Sequence, residues 1–179
     1  MTGDDDTPTA STASSRPRRA AQRSAARLAA VQARYQIESR GMDPQAVVEE
    51  FRRHRLTSDD VDEGQPDLTK ADTKHFAALV LGTDMRAGEI AEALDGVLPA
   101  DWPRARLDRV VHAILITACF ELLARDDVPA RVAIDEYVSI ARAFFAGVEP
   151  NFVNGVLDAL ARKLRPSDFV PGHDRGSRE

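Results

Sequence analysis

The spacing of the hydrophobic residues constrains the fold of this chain more than any other feature. Between residues 16 and 166 the apolar positions recur about every 3.6 residues, and no segment shows the strict alternation of a strand. A helix with one apolar face has to bury that face against another element. The pattern therefore predicts an all-α fold, a compact bundle of six or seven helices.

Prolines, glycines and capping residues set the expected ends of the first two helices. Pro17 fits the first turn of a helix that runs to about Ser39, where Gly41 stops it. Asp43 provides an N-cap and Pro44 a first-turn residue for a short second helix. Both helices are thus predicted from residues that act locally.

Further apolar stripes predict the rest of the bundle. Thr69 with Asp72 three residues on resembles a capping box, and it opens a long helix that reaches about Val97. Gly82 and Gly88 within this helix indicate close packing or a bend. Three more helices are expected: a central, most buried one from Asp101, one between the turn at 125–129 and Gly147, and one over 151–164.

Charge is distributed unevenly along this acidic chain. The formal net charge is -5, but residues 16–40 contain seven arginines against a single acid, Glu38. On a helical wheel, four of these arginines fall within an arc of roughly 80°, and an alanine-rich apolar face lies roughly 120° away. The four are Arg19, Arg23, Arg27 and Arg34. They are predicted to form a stripe that Arg16 and Arg18 extend and that faces solvent with no carboxylate nearby.

A basic helix of this kind indicates a polyanionic partner, because a planar guanidinium group can bond two phosphate oxygens at once. Three alternatives stay open: a merely solvated face, attachment to a membrane surface, and a protein-only adaptor whose basic helix binds an acidic protein. Helices that bind membrane surfaces use Trp, Phe and Leu where this one has alanine. Stacking of RNA bases needs exposed aromatic residues, for which Tyr35 and Phe152 are candidates.

The sequence contains no signature of a catalytic site. It lacks a phosphate-binding glycine loop, a dinucleotide fingerprint, a nucleophile elbow and a zinc-protease motif. Cys119, the single cysteine, stands in an apolar run and is expected to fill the core. Asp135 and Glu136 are adjacent, so on a helix they point about 100° apart and cannot act as an acid–base pair. The histidines lack metal-ligand spacing, and we expect no enzyme activity, no metal and no cofactor.

Both ends of the chain are expected to lie outside the fold. Residues 1–15 are predicted to form a disordered acidic tail and residues 167–179 a flexible one, which leaves one folded domain at 16–166. The acidic stretch 57–67 is expected to be a loop. Since no apolar run approaches the roughly 18 residues that cross a bilayer and the N-terminus lacks a secretory pattern, we expect a cytoplasmic protein.

Several motifs resemble the bacterial transcription antitermination factors of the NusB family. The most specific is F-V-N-G-V-L-D at residues 152–158, followed by A-V-Q-A-R-Y at residues 30–35. Shorter pieces match in the same order along residues 16–166; they include R-L-D at 106–108, D-V-P at 127–129 and I-D-E at 134–136. The resemblance implies an all-α fold of two packed helical halves.

The resemblance also implies a function. It implies binding of boxA-type single-stranded RNA of ribosomal operons together with NusE, a small-subunit ribosomal protein, and entry into the RNA polymerase elongation complex with other Nus factors. The family's RNA contacts carry over onto these residues: Arg16, Arg18, Arg19, Arg23, Arg27, Tyr35 and Phe152. Arg109 and His112 are predicted to contact NusE, and a homodimer stays open as a further association.

Three positions depart from the family pattern. Arg34 stands where a leucine is usual, Ile116 where an arginine is common and Asp135 where an asparagine is common. Ile116 removes any polar contact that the arginine makes. NusB-like domains also precede the catalytic domain of a family of ribosomal RNA cytosine methyltransferases, but no cofactor-binding βαβ unit follows residue 166 here.

Three residues within the family motifs are interpreted as structural. Glycine at Gly155 allows close approach of another helix, while Asn154 and Glu121 can satisfy backbone groups at helix ends.

Overall fold

Seven α-helices and two short 3-10 helices form the described part of the chain, which in this computed structural model comprises residues 15–56 and 67–170. The helices are α1 (Ser15–Arg40), α2 (Pro44–His54), α3 (Thr73–Met85), α4 (Ala87–Asp95), α5 (Arg109–Ala124), α6 (Ala130–Phe144) and α7 (Glu149–Leu164). The 3-10 helices are Arg104–Arg106 and Pro166–Phe169. The predicted all-α bundle is confirmed, while nearly all of the N-terminal tail, most of the acidic loop and residues 171–179 lie outside the described residues.

The helices pack in two halves that meet along α1 and α5. Helices α1, α2 and α3 contact one another in the first half, and α5, α6 and α7 do so in the second. Because α1, α3 and α4 also lie against α5, residues 113–122 of this helix are all buried, and its predicted central position is confirmed. Within the described ranges no helix is both long and apolar enough to span a membrane.

Arg165, just after α7, ties the end of that helix to the end of α5. Its buried guanidinium group donates hydrogen bonds of 2.6 to 3.0 Å to the main-chain carbonyl oxygens of Glu121, Leu122, Arg125 and Val128. The last carbonyl groups of a helix have no partner within the helix and need another donor when buried. One side chain therefore satisfies the C-terminal end of α5 and fixes α7 beside it.

The predicted boundaries of α1 and the predicted start of α2 are confirmed, whereas Leu56, which was predicted to lie on α2, follows its end at His54. Pro17 lies in the first turn of α1, and Gly41 follows the helix with a φ of 63°, a conformation that favours glycine. The Asp43 carboxylate accepts a hydrogen bond of 2.8 Å from the Ala46 N–H and caps α2. Each of these boundaries depends on residues within one helical turn.

The predicted long third helix is wrong, since the structure has two helices, α3 and α4, that are separated at Arg86. The N-cap of α3 is Asp72, whose carboxylate accepts two N–H groups of the first turn, whereas Thr69 hydrogen-bonds to Asp67. After the break, α4 buries Ile90, Ala93 and Leu94 and lies against α5. The break lies between Gly82 and Gly88, the two glycines that indicated close packing or a bend.

The start of α5 also differs from the prediction. The helix begins at Arg109 and not at Asp101, because the Asp108 carboxylate accepts a hydrogen bond of 2.8 Å from the Val110 N–H and caps it there. A 3-10 helix occupies part of the preceding segment. Asp101 and Asp108 both precede apolar stripes, so sequence spacing did not distinguish them.

The end of α6 and the end of the folded domain also differ from their predicted positions. Helix α6 ends at Phe144, before Gly147, because Phe145 has an extended backbone. The folded chain continues past residue 166, since the Asp168 carboxylate accepts a hydrogen bond of 3.1 Å from the Ala130 N–H. The 3-10 helix that contains Asp168 thereby supports the start of α6.

Gly82 of α3 packs closely against the Phe120 ring of α5. A Cβ atom at this position would collide with the Phe120 ring, whereas a Cβ atom at Gly88 would meet no atom within 4 Å. We expect Gly82→Ala to lower the free energy of unfolding by about 1–3 kcal/mol through overpacking. Gly88→Ala is the matched control and should leave it unchanged or raise it by less than about 1 kcal/mol. Urea unfolding checks both values, and an equal effect of the two substitutions would contradict the close approach.

Candidate nucleic-acid interface

The arginines of the first helix do not form a single stripe that faces solvent. The structure divides them by exposure: Arg16, Arg18, Arg19 and Arg40 are exposed, Arg23 is half-buried, and Arg27 and Arg34 are buried. The prediction that Arg27 and Arg34 face solvent is therefore wrong. A helical wheel gives angles around one helix but carries no information about carboxylates that distant segments bring beneath it.

Arg27 forms a buried, two-point ion pair with Glu121 of α5. Arg27 Nε lies 2.9 Å from Glu121 Oε2, and Nη2 lies 2.7 Å from Oε1. The Tyr137 hydroxyl of α6 donates a hydrogen bond of 2.8 Å to Oε2, and His75 Nε2 of α3 lies 3.4 Å from Oε1. Four helices therefore meet at one carboxylate. Glu121 is structural, as predicted, although it binds side chains and not backbone groups.

The protonation of this cluster follows from its surroundings. Burial opposes the charge of Glu121 and raises its pKa, but the contacts with His75 and Arg27 outweigh burial and lower that pKa to about 2. Burial and the neighbouring Glu121 charge raise the pKa of Tyr137 well above 10, so the phenol keeps its proton. Burial alone would lower the pKa of Arg27, whereas Glu121 raises it. The pair is ionised at neutral pH.

Arg34, the residue that departs from the family's leucine, also turns inward. Its terminal nitrogens lie 3.7 Å from carboxylate oxygens of Glu38 on α1 and Asp84 on α3. His112 of α5 lies beside the same cluster, with Nδ1 2.9 Å from Glu38 Oε2. These four residues join α1 to α3 and α5. His112, predicted to contact NusE, is thus half-buried, whereas the neighbouring Arg109 is exposed.

The N-terminal end of α1 presents a group of three arginines that have no ion pair in the described chain. Arg16, Arg18 and Arg19 are exposed, and no carboxylate within residues 15–56 and 67–170 forms an ion pair with any of them. One turn further on, Arg23 Nη2 lies 3.1 Å from the Asp127 carboxylate, which also binds Arg125. The group of exposed arginines at the start of α1 therefore ends at the Asp127 ion pairs, and Arg40 is exposed separately at the other end of the helix.

Tyr35 and Phe152, the two predicted stacking residues, lie in different depressions of the surface. Tyr35 is 42% exposed and lines a cleft of about 410 Å³ with Val110 and Phe144. Phe152 is half-buried and lines a groove of about 740 Å³. Both side chains are accessible, but they do not form one platform.

Sequence reasoning missed Trp102, which forms an aromatic pair with Phe152. The ring centroids are 5.5 Å apart with an interplanar angle of 42°, and Trp102 is 51% exposed. Its position before a proline indicated only a helix start. The signal that could have identified it is the sequence around it, because Asp101, Pro103 and Arg104 flank the single tryptophan of the chain with residues that rarely line a core.

The exposed arginines and the Trp102–Phe152 groove lie at opposite ends of α5. Val111 lines the groove near the start of the helix, whereas Arg23 contacts Asp127 beyond its end. The stretch of α5 from Val111 to Ala124 is about 20 Å long at 1.5 Å per residue. Only an extended ligand can therefore contact both places at once.

The other reactive side chains fit structural positions. Cys119 is buried, as predicted, and burial raises the pKa of its thiol to about 12, so no thiolate forms at neutral pH. Among the described residues, no group of three or more His, Cys, Asp or Glu side chains is placed to hold a metal ion. Gly155 differs from its prediction, since a Cβ atom there would meet nothing within 4 Å and close helix approach does not explain it.

Comparison with known proteins identifies the family. The model of the NusB family matches residues 24–162. The chain belongs to the NusB family. "Transcription antitermination protein NusB" of Maricaulis maris (strain MCS10) is 47% identical over 162 residues, which cover 90% of this chain and 99% of that protein. The NusB of Agrobacterium fabrum (strain C58 / ATCC 33970) is 47% identical over 144 residues, or 80% of this chain and 86% of that protein.

Solved NusB structures have the same fold. T. maritima NusB superposes with a TM-score of 0.65 at 28% sequence identity, covering 86% of this chain and 96% of that one. A crystal structure of the antitermination factors NusB and NusE in complex with dsRNA gives a TM-score of 0.62 at 22% identity, covering 78% and 96%. The resemblance on which the two-halved NusB fold was predicted is confirmed.

Because Arg27 is in a buried ion pair and Arg19 is exposed, replacing them should lower the free energy of unfolding by different amounts. Arg27→Ala leaves the Glu121 carboxylate buried without its main partner, and we expect a loss of about 3–5 kcal/mol in the free energy of unfolding. Arg19→Ala removes an exposed arginine of the same helix and should change it by less than about 0.5 kcal/mol. Urea unfolding followed by circular dichroism measures both. Similar values for the two variants would contradict the inward position of Arg27.

The depressed pKa of Glu121 predicts a dependence of stability on pH. Because this pKa falls from 4.5 to about 2 on folding, the ionised carboxylate stabilises the protein fully above pH 4.5, and this contribution is lost as the pH falls toward 2. It amounts to about 3 kcal/mol. The difference in unfolding free energy between the wild type and Glu121→Gln should therefore shrink by that amount from pH 6 to pH 2. A constant difference across this range would show that Glu121 has an ordinary pKa.

Proposed function

We propose that this NusB family member is a transcription antitermination factor that binds boxA-type single-stranded RNA of ribosomal operons together with NusE. In this role it joins the RNA polymerase elongation complex with other Nus factors. The observation that carries the proposal is the exposed group of Arg16, Arg18 and Arg19, which has no carboxylate partner in the described chain. Membership of a transcription antitermination family supports it, and a complex of NusB and NusE with dsRNA shares the fold.

The proposed phosphate contacts come from the first turns of α1. Guanidinium groups bind phosphate oxygens with two parallel hydrogen bonds, and this contact is independent of base sequence. The Arg27–Glu121 pair holds the inner face of α1 against the bundle, so the outer arginines project from a rigid helix. Arg23 joins them when an RNA phosphate competes with Asp127 for its guanidinium group. Arg27 is left out of the RNA contacts because it is buried.

The proposed base contacts involve the two accessible aromatic residues. Bases of single-stranded RNA stack on exposed aromatic rings, and Phe152 and Tyr35 each line an open depression. Gly155 lies one turn from Phe152 on an exposed stretch of α7, where its missing side chain leaves the backbone open to a ligand. A single strand that runs from the arginines to Phe152 has to be extended, since about 20 Å of α5 separates them.

The surface proposed for NusE lies at the start of α5. Arg109 is exposed there, and His112 is fixed by its contact with Glu38. When two proteins bind each other and both contact one RNA, the first contact holds the RNA close to the second protein. The complex therefore binds the RNA more tightly than either protein alone. Neither a covalent step nor a cofactor enters this mechanism, and the site of action is the cytoplasm, where transcription takes place.

Charge reversal tests the electrostatic part of the proposal. Arg18→Glu with Arg19→Glu should weaken binding of boxA-type single-stranded RNA in a filter-binding assay and leave the circular dichroism spectrum unchanged. The wild-type log affinity should fall against log salt with a slope of about -3, as expected when about four phosphates contact arginines. The double variant should show a shallower slope, because it contacts fewer phosphates.

A matched double variant separates a specific surface from a general effect of charge. Arg142→Glu with Lys163→Glu changes the net charge equally on exposed positions of α6 and α7, and it should retain the wild-type affinity. Equal losses in both double variants, or an affinity independent of salt, would contradict an RNA site on α1. RNA binding that is absent with and without NusE, while NusE still binds, would instead favour the protein-only adaptor.

A further inference from the structure

Asp127, the first residue of the D-V-P motif, is shared by two arginines at the edge of the exposed arginines of α1. The Arg125 guanidinium binds both of its oxygens, with Nε 2.9 Å from Oδ1 and Nη2 3.1 Å from Oδ2. Arg23 of α1 donates one hydrogen bond of 3.1 Å, from Nη2 to the same Oδ2. Two positive charges therefore meet one negative charge, and one of the two arginines is in excess.

The two arginines hold Asp127 with unequal strength. A guanidinium group that binds both oxygens of a carboxylate makes a stronger and better oriented contact than one that binds a single oxygen. The hydrogen bond from Arg125 holds the pKa of the Asp127 carboxyl well below its usual range, against the effect of burial, and Arg23 contributes less. Arg125 is thus the main partner of Asp127, and Arg23 is the more weakly held one.

The turn that carries Asp127 is fixed independently of Arg23. The main-chain carbonyl oxygens of Arg125 and Val128, on either side of it, accept hydrogen bonds of 2.7 and 2.6 Å from the buried Arg165 guanidinium. Arg125 therefore stays beside Asp127 and neutralises it when Arg23 turns away. Arg23 can exchange the carboxylate for another anion without leaving a buried or unpaired negative charge behind.

Arg23 lies where a ligand of the exposed arginines reaches it next. It follows Arg19 by four residues, which is about 6 Å along α1 and nearly the same direction around it. Its side chain is 35% exposed, and among the described residues it makes no hydrogen bond or ion pair other than the one to Asp127. The remaining N–H groups of Arg23 are therefore open to an incoming phosphate.

We infer that Asp127 limits the affinity of the α1 surface for RNA by holding Arg23, and that RNA binding transfers Arg23 from this carboxylate to a phosphate. Asp127 is a positioning residue, since it acts through Arg23 and does not itself contact RNA. A strand already bound at Arg18 and Arg19 presents its next phosphate at high effective concentration, and this phosphate displaces the carboxylate. The inference deepens the proposed function and rests on it.

Removal of the Asp127 charge should strengthen RNA binding. Asp127→Asn keeps the size of the side chain and should raise the affinity for boxA-type single-stranded RNA about 2- to 5-fold in a filter-binding assay, the range that one exposed ion pair supplies. Asp127→Ser removes the same charge and should give the same gain, so the test does not depend on one variant. Asp127→Glu retains the charge and should keep the wild-type affinity.

The neighbouring carboxylate provides a matched control. Asp126 is 90% exposed, and its ion pair is a distant one, 3.7 Å from Arg165. Asp126→Asn changes the net charge by the same amount at almost the same place, and it should retain the wild-type affinity. An equal gain in Asp126→Asn and Asp127→Asn would overturn the inference, because the gain would then reflect net charge alone. Circular dichroism spectra should match the wild type for all of these variants.

A double-mutant cycle tests whether the gain passes through Arg23. Arg23→Ala in the Asp127→Asn protein should make the slope of log affinity against log salt shallower by about 0.7, the loss of one phosphate contact. In the Arg23→Ala protein, Asp127→Asn should bring no gain, because the arginine that it releases is absent. A gain that persists without Arg23 would overturn the inference, since Asp127 would then act through Arg125 or through its field.

The outcomes distinguish failure of this inference from failure of the proposed function. Salt-dependent binding of boxA-type RNA with equal affinity in the wild type and Asp127→Asn would overturn the role of Asp127 and leave the proposed function standing. Lower affinity in Asp127→Asn would also overturn that role, by showing that Asp127 holds Arg23 in the orientation that binds RNA. Absence of RNA binding in both proteins, with and without NusE, would overturn both proposals.

Discussion

The carboxylate of Glu121 is the point on which the rest of the structure depends. It receives Arg27 from α1, Tyr137 from α6 and a close contact from His75 of α3, all within the buried interior. A buried ion pair adds little net stability compared with apolar packing, but a charge left without its partner is strongly unfavourable. The cluster therefore acts through geometry. It fixes the orientation of α1 about its own axis, and this orientation determines which arginines are exposed to solvent.

This constraint gives the arginines of α1 two different roles. Arg27 and Arg34 form ion pairs inside the bundle. Arg16, Arg18 and Arg19 are exposed at the N-terminal end of the helix. The stripe that looks continuous in sequence therefore has two parts. Its N-terminal part is exposed to solvent, and the part that follows is buried and stabilises the fold. Because the exposed arginines lie outside the buried ion pairs, the charge of this surface can be changed by substitution without removing those pairs.

Local signals predicted much of the fold, and long-range contacts account for what they missed. Asp43 and Gly41 were predictable because each acts within one helical turn, and the width of the apolar face of α5 indicated its central place. Gly82 and Gly88 indicated a bend without fixing its place at Arg86, and the inward turn of Arg27 was not predictable because it depends on where Glu121 of α5 lies. Trp102 was missed because its partner, Phe152, is fifty positions away in the chain. The family motifs supplied the topology that periodicity alone could not.

Arginine-selective chemical footprinting of the full chain, with and without boxA-type RNA, tests most directly whether one helix carries both kinds of arginine. Phenylglyoxal modification read out by mass spectrometry should show that Arg16, Arg18 and Arg19 react in the free protein and become protected by RNA. Arg27 should stay unreactive in both states, because its guanidinium group is enclosed with Glu121. Modification of Arg27 at the rate of Arg19, or no protection of the three outer arginines by RNA, would contradict the account.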